Sequence, residues 1–108
     1  MTTLATLTAT RDTLLTRGWC QGTYAHRVTG EVCLAGAVQE AAGSLEAMID
    51  AWAALEAVLP ASWHASRVPL VYWNDALDRT PEEVLDLVEQ AITHAATDAH
   101  CALIKELV

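Results

Sequence analysis

Residues 73–80 contain the densest polar chemistry of the sequence, directly after the apolar run VPLVYW. Asn74, Asp75 and Arg79 could converge on a small polar ligand beside the start of a following helix, where backbone N–H groups are free. The structural alternative is a turn, because Asn and Asp side chains bond nearby backbone groups and Arg79 could pair with Asp75 or Asp78. Glutamates in the first turn of that helix disfavour an anionic ligand.

A second candidate segment lies near residue 20, where aromatic, thiol and imidazole side chains follow one another as Trp19, Cys20, Tyr24 and His26. A cysteine near a histidine could act as a nucleophile with its base. The sequence places no acid to orient that base, and a small buried thiol is the simpler role for Cys20. If residues 19–26 and 73–79 meet, their candidate side chains would form a pocket for a small ligand or a minor enzymatic activity.

Metal binding has one weak candidate, His94, Asp98 and Cys101, which share a face of the predicted last helix. The alternative is a mixed face with a packed thiol and solvated polar groups. The other Cys and His residues are too irregularly spaced for a zinc pattern. The sequence also lacks HExxH, CxxC, a Gly-rich phosphate loop and GxSxG. We therefore expect no cofactor, no metal and no catalytic residue.

The chain has 108 residues, of which 53% are hydrophobic, and this predicts a single domain over residues 1–108. A formal charge of −8 argues against nucleic acid as a partner, which requires a basic surface. We expect no membrane association, because no apolar run is long enough to span a bilayer. Three cysteines without framework spacing, and no signal peptide, favour a reducing, cytoplasmic compartment.

The negative charge is unevenly distributed: residues 1–36 are nearly neutral, and residues 37–108 carry the excess. The simple explanation is solvated helix faces that keep the protein soluble. The functional alternative is an acidic surface for a basic partner, with a loop tryptophan as an anchor. The candidate partner-binding residues are Trp63, Glu46, Asp50, Glu56, Asp86 and Glu89. The alternative for the tryptophan is that it closes over the core.

Apolar residues recur with helical spacing in four stretches, residues 3–17, 31–42, 45–59 and 81–107. Gly18 is expected to end the first helix, and Ser44 to cap the third. Thr80 and Glu83 have the spacing of a capping box at the last helix. Gly36, inside the second stretch, indicates close approach of another backbone.

Two of these helices have faces expected to be buried. The stripe of the third helix comprises Leu45, Met48, Ile49, Trp52, Leu55, Val58 and Leu59. The face of the last helix comprises Val84, Leu87, Val88, Ala91, Ala95, Ala99, Ala102 and Leu103. Its alanine-rich lower half would let another helix pack closely, which makes a homodimer a further possibility. Cys33 is expected in the core, on an apolar face of the second helix.

Two other segments lack helical periodicity or are ambiguous. Residues 19–30 suggest a hairpin-like excursion, and residues 68–73 are either a short strand or an extended stretch over the helices. The predicted fold is therefore mainly α, with about four helices and possibly a small antiparallel sheet of two or three strands from residues 19–33 and 68–73.

Three motifs resemble a family of small uncharacterised proteins of actinobacteria, other bacteria and their phages. They are GWCQG at residues 18–22, CxxGA within residues 33–38, and WNDxxxRTxxEV at residues 73–84. The resemblance covers roughly residues 12–95. Val38 replaces the family's leucine, and Asp78 stands where the family has glycine. The resemblance implies a phage or mobile-element origin and supplies no activity.

The first hypothesis is therefore a small, acidic, non-enzymatic accessory protein that binds a macromolecular partner, such as a basic host protein, in the host cytoplasm. The alternative is a small-ligand-binding protein or minor enzyme with a pocket between residues 19–26 and 73–79.

Overall fold

The computed structural model describes residues 1–107, which form five α-helices. These are α1 (Thr3–Arg17), α2 (Leu34–Ala41), α3 (Leu45–Ala57), α4 (Pro69–Asn74) and α5 (Pro81–Leu107). One 3₁₀ turn, Ala61–Trp63, lies between α3 and α4. The predicted mainly α fold is confirmed, with one helix more than the sequence indicated.

Helix α1 packs against α2, α3 and α5 and contributes threonines as well as leucines to the core. Thr6 and Thr10 are completely buried, yet their hydroxyls donate to the carbonyls of Thr2 and Thr6 at 3.1 and 2.8 Å. Because each hydroxyl is satisfied within its own helix, burial leaves no polar group without a partner. Gly18 ends the helix as predicted, with a φ of +84°.

Helix α2 is the most deeply buried element, since residues 32–38 are all inaccessible. It begins at Leu34 rather than at residue 31, because Cys33 is its N-cap and the Cys33 thiol accepts from Gly36 N at 3.3 Å. Cys33 is buried as expected, but at the cap and not on a helix face. The carbonyl of Tyr24 lies so close to Gly36 that a Cβ there would come within 2.0 Å of it. The predicted close backbone approach is therefore observed.

The proposed sheet is not found within residues 1–107. Residues 69–74 form α4, because Pro69 fixes the first helical φ and the apolar run then buries Leu70 and Trp73 on one face. Residues 19–33 make only two isolated bridges, both through Val32, to Trp19 and to Ala25. Bends and turns at residues 21–24 and 27–29 separate these bridges, so the paired residues do not extend into a β-ladder.

Most of the stripe predicted for the third helix faces the core: Leu55 and Leu59 are buried, and Met48, Trp52 and Val58 pack against the core. Leu45 and Ile49 of the predicted stripe are 68% and 55% exposed, whereas Ala47, Ala51 and Leu55 are buried. Small residues let α3 lie close to its neighbours. The helix ends at Ala57 instead of residue 59, since residues preceding Pro60 are disfavoured in helical conformation. Ser44 caps its start as predicted, accepting from Ala47 N at 3.1 Å.

Helix α5 begins with the predicted capping box: Thr80 Oγ1 accepts from Glu83 N, and Glu83 Oε1 accepts from Thr80 N. Its inner face is buried only as far as Ala91, and residues 96–107 are all exposed. Ala99, Ala102 and Leu103 are therefore uncovered, contrary to the predicted face. No helix within residues 1–107 is both long and apolar enough to cross a membrane.

Candidate functional site

Asn74 joins the two candidate segments. It is 1% exposed, and its Oδ1 accepts from Trp19 Nε1 at 2.6 Å and from Leu34 N at 3.0 Å. Its Nδ2 donates to the Cys20 carbonyl at 3.3 Å and to Asp75 Oδ1 at 2.9 Å. Every hydrogen-bonding position of this amide is used by the protein itself. Asn74 is thus a structural centre and offers nothing to a ligand.

Two neighbours of Cys20 complete this connection. Gln21 Nε2 donates to the carbonyls of Asn74 and Ala76 at 2.9 and 2.7 Å, and Gly22 N donates to Asp75 Oδ1 at 3.0 Å. Residues 19–26 and 73–79 therefore do lie together. The sequence did not identify Gln21 as a functional residue. The one signal for it was a polar side chain between Cys20 and Gly22 in GWCQG.

Arg79 is held by Trp73, Trp63 and Glu83. Its Nε donates to the Trp73 carbonyl at 2.9 Å, and it forms an ion pair with Glu83 at 3.1 Å. The guanidinium carbon lies 4.0 Å from the centre of the Trp73 ring and 5.8 Å from that of Trp63. The expected pairing with Asp75 or Asp78 is wrong, because aromatic faces and the carboxylate of α5 hold the guanidinium instead.

Trp63 is half-buried and packs against the core, with Arg79 above its ring. His26 is exposed, and its Nδ1 accepts from Val28 N and Thr29 N, both at 3.2 Å, so it stabilises its own turn. The Cys20 thiol donates to carbonyls of Thr23 and Glu31 at 3.7 and 3.5 Å. A thiol that donates to carbonyls is not activated by a base.

A cavity of about 400 Å³ opens where the two segments meet. Its lining residues are Gly22, Thr23, Tyr24, Cys33, Val71 and Asp75. Tyr24, predicted from the sequence, therefore lines it together with Asp75. Trp19, Cys20, His26, Asn74 and Arg79 are not among the lining residues.

Both thiols near the cavity are held in their neutral form. Burial is the main cause that raises the pKa of Cys20 and of Cys33 above the usual value, and the negative charge of Asp75 raises both further. Neutral thiols are weak nucleophiles. The His26 imidazole bonds its own turn and the Cys20 thiol bonds carbonyls, so the two side chains do not form a nucleophile–base pair.

A second cavity of about 560 Å³ lies between the N-terminus of α1, the C-terminus of α3 and the middle of α5. Alanines dominate its lining, and His94 and Asp98 are its only ionisable residues. His94, Asp98 and Cys101 are all exposed, and no set of three His, Cys, Asp or Glu residues in the described chain is arranged to hold a metal ion.

The acidic candidates differ in their surroundings. Glu89 is paired with Arg11 at 3.0 Å. Glu46, Asp50 and Asp86 are exposed and Glu56 is half-buried, and none of these four has an ion-pair partner within residues 1–107.

These features define a small, mainly helical protein in which residues 19–26 and 73–79 are hydrogen-bonded to each other beside a cavity. The chain belongs to DUF6197, a family of unknown function whose model matches residues 1–94. The predicted membership of an uncharacterised family is thereby confirmed, and the match starts at residue 1 rather than near residue 12. No curated protein and no solved structure matches the chain.

Proposed function

We propose that this protein is a non-enzymatic accessory protein that binds a basic surface of a macromolecular partner through α3 and the first half of α5. The observation that carries this proposal is the set of unpaired carboxylates at Glu46, Asp50 and Asp86. Complementary charge steers association and suppresses wrong partners.

Three arginines are paired with carboxylates other than Glu46, Asp50 and Asp86. Arg11, Arg17 and Arg79 form ion pairs with Glu89, Glu40 and Glu83, so these cations are neutralised within the fold. Glu46, Asp50 and Asp86 therefore keep their negative charge on the surface of α3 and α5. Glu89 is part of a pair, and we assign it a weaker role than Asp86.

We also propose a phage or mobile-element origin and action in the host cytoplasm. The origin is supported by the motif resemblance. The compartment is supported by the three thiols, Cys20, Cys33 and Cys101, which are all free.

The test is affinity capture from host lysate with charge-matched variants. One variant combines Glu46→Gln, Asp50→Asn and Asp86→Asn, and the control combines Asp78→Asn, Asp98→Asn and Glu106→Gln, which changes net charge equally elsewhere. We expect a stoichiometric partner with wild type and control, and its loss with the first variant. Equal capture by all three proteins would contradict the role of these faces.

The second candidate function is small-ligand binding in the 400 Å³ cavity. The supporting observation is that Tyr24, Val71 and Asp75 line a single recess of the size typical of ligand sites. Native mass spectrometry of the purified chain tests this candidate, because a retained ligand would appear as a defined mass increase.

A homodimer through the exposed half of α5 is part of the proposal. Leu103, Ile104 and Leu107 are exposed there, beyond the last buried residue, Ala91. Sedimentation of wild type and of Leu103→Glu tests it: we expect the variant to be monomeric at concentrations where wild type is dimeric. Identical sedimentation coefficients that match a monomer would exclude the dimer.

A further inference from the structure

We propose that the cavity between residues 19–26 and 73–79 binds one organic cation, an alkylammonium or guanidinium group, through Asp75 and the ring of Tyr24. This inference deepens the second candidate function by naming the ligand class of the same cavity. It does not depend on the acidic faces of α3 and α5.

Asp75 is the one carboxylate among the residues that line the cavity, and its exposed side chain is held by two hydrogen bonds. Its Oδ1 accepts from Gly22 N at 3.0 Å and from Asn74 Nδ2 at 2.9 Å, and Asn74 is itself held by Trp19 and Leu34. Both donors bind the same oxygen, so Oδ2 is the atom available to a ligand. Two neutral donors orient the carboxylate without neutralising it.

No cation of the protein balances this carboxylate. Within residues 1–107, Asp75 belongs to none of the four ion pairs. Arg79, four residues further along, is the nearest cation in sequence and is bound to the Trp73 carbonyl and to Glu83. A chain with a net charge of −8 also attracts cations from solution and repels anions.

The walls favour an organic cation over a metal ion. Val71 and Tyr24 line the cavity, and Tyr24 is 49% exposed; an ammonium or guanidinium group can lie against an aromatic face while it donates to a carboxylate. The neutral thiol of Cys33 adds no second negative ligand. A single carboxylate between apolar walls suits a ligand with one positive charge that is shared by several N–H donors.

The cavity is formed before any ligand arrives. The Tyr24 carbonyl accepts from Cys33 N at 3.1 Å and is packed against Gly36, which fixes the backbone of the wall. Gln21 holds the neighbouring residues to the end of α4 through the Asn74 and Ala76 carbonyls. A preformed site loses little entropy when it binds.

The same chemistry has two sources, a free small amine or guanidine and the Lys or Arg side chain of a basic protein. Both present N–H donors on a singly charged group, so the cavity alone does not separate them, and the experiment contains an arm for each.

The experiment is a titration of the full chain, followed in ¹H–¹⁵N NMR spectra, with methylguanidinium and with its neutral analogue methylurea. We expect saturable shifts at the amides of Gly22, Tyr24 and Asp75 with methylguanidinium, and at least tenfold weaker binding of methylurea. Because both probes are titrated into the wild-type protein, this comparison does not depend on the folding of a variant. Equal binding of the two probes would overturn the cationic ligand class while leaving a ligand cavity in place, and no binding of either would overturn both.

Two matched variants locate the cation. Asp75→Asn keeps an oxygen for Gly22 N but removes the charge, and Asp78→Asn removes the same charge at an exposed position outside the cavity. We expect at least a tenfold loss of methylguanidinium affinity for Asp75→Asn and less than a twofold change for Asp78→Asn. Equal losses would show a general charge effect and contradict the site.

The final arm compares methylguanidinium with an arginine-containing basic peptide and its citrulline counterpart. Binding of the arginine peptide at least tenfold tighter than methylguanidinium, with no binding of the citrulline peptide, assigns the cavity to a partner's side chain. Equal affinity of peptide and small cation assigns it to a free cation. Tight binding of the citrulline peptide would contradict recognition of charge.

Discussion

The indole N–H of Trp19 donates to the buried side-chain oxygen of Asn74 at 2.6 Å, across 55 positions of sequence. The same oxygen accepts from the first backbone N–H of α2, at Leu34. One amide therefore joins the GWCQG segment, the start of α2 and the end of α4. The segments GWCQG and WND, which are far apart in the sequence, are therefore hydrogen-bonded to each other.

The contact between Gly36 and the Tyr24 carbonyl predicts a large effect of one methyl group. Gly36→Ala would place Cβ 2.0 Å from that oxygen, so the loop or α2 must move and the bond from Cys33 N weakens. We expect a loss of about 3 kcal/mol or more in the free energy of unfolding, measured by urea denaturation. Gly43→Ala is the control, since its Cβ meets nothing closer than Met1 Sδ at 3.7 Å, and a comparable loss there would contradict this reasoning.

The position of Arg79 over the Trp73 ring predicts that lysine cannot replace it. Arg79→Lys keeps the charge but loses the planar group that stacks on the ring and bonds the Trp73 carbonyl. We expect a loss of about 1–2 kcal/mol in unfolding free energy. Arg67→Lys changes an exposed arginine and should be neutral. Equal stability of the two variants would show that charge alone matters at residue 79.

The Cys33 thiol predicts a loss of stability in alkali. Burial raises the pKa of Cys33 above its ordinary value in the folded state, so the folded protein retains a proton that the unfolded chain releases. Stability therefore falls as the pH rises from the unfolded pKa through the folded one. In Cys33→Ser, the serine keeps an oxygen for the cap at Gly36 N and does not titrate in this range. Urea midpoints measured above pH 9 should fall less steeply for Cys33→Ser than for wild type.

Replacement of the exposed Cys101 by serine is the control for this measurement. We expect it to keep the alkaline slope of wild type. Parallel curves for wild type and Cys33→Ser would mean that the Cys33 thiol does not contribute to the pH dependence.

The exposed part of α5 predicts that the chain can be shortened. Residues 96–107 are exposed throughout, and the last buried side chain of the helix is Ala91. A chain that ends at Ala95 should unfold within about 0.5 kcal/mol of the full protein, as expected for changes outside the core. A chain that ends at Leu87 loses buried Val88 and Ala91 and should be much less stable. A large loss in the longer truncation would show contacts absent from this structure.

Local signals in the sequence predicted local structure well. The bounds of α1 and α5 match the predicted ones, and the caps at Ser44 and Thr80 form as expected, because these bonds involve residues a few positions apart. The apolar run at residues 68–73 was predicted to be a strand or an extended stretch, and both alternatives were wrong. A short buried strand and a short buried helix have the same composition, and the signal for the helix was Pro69, at a position where it can start one.

Features that depend on distant partners were predicted less well. In α3, periodicity correctly placed Leu55 in the core, but it also selected Leu45 and Ile49, which are exposed, and passed over Ala47 and Ala51, which are buried. Arg79 found aromatic rings and Glu83 in place of the nearest aspartates. The meeting of residues 19–26 with 73–79 was only a condition of the alternative hypothesis, and the sequence could not show which side chains would line the cavity and which would hold it together.

The most direct test of this structure is a double-mutant cycle between Trp19 and Asn74, measured as unfolding free energy in urea. Trp19→Phe removes the indole N–H, and Asn74→Ala removes its acceptor together with the acceptor for Leu34 N. Because the two side chains share a bond, we predict a coupling of about 1 kcal/mol or more. Additivity within about 0.3 kcal/mol would contradict the contact that joins the two motifs.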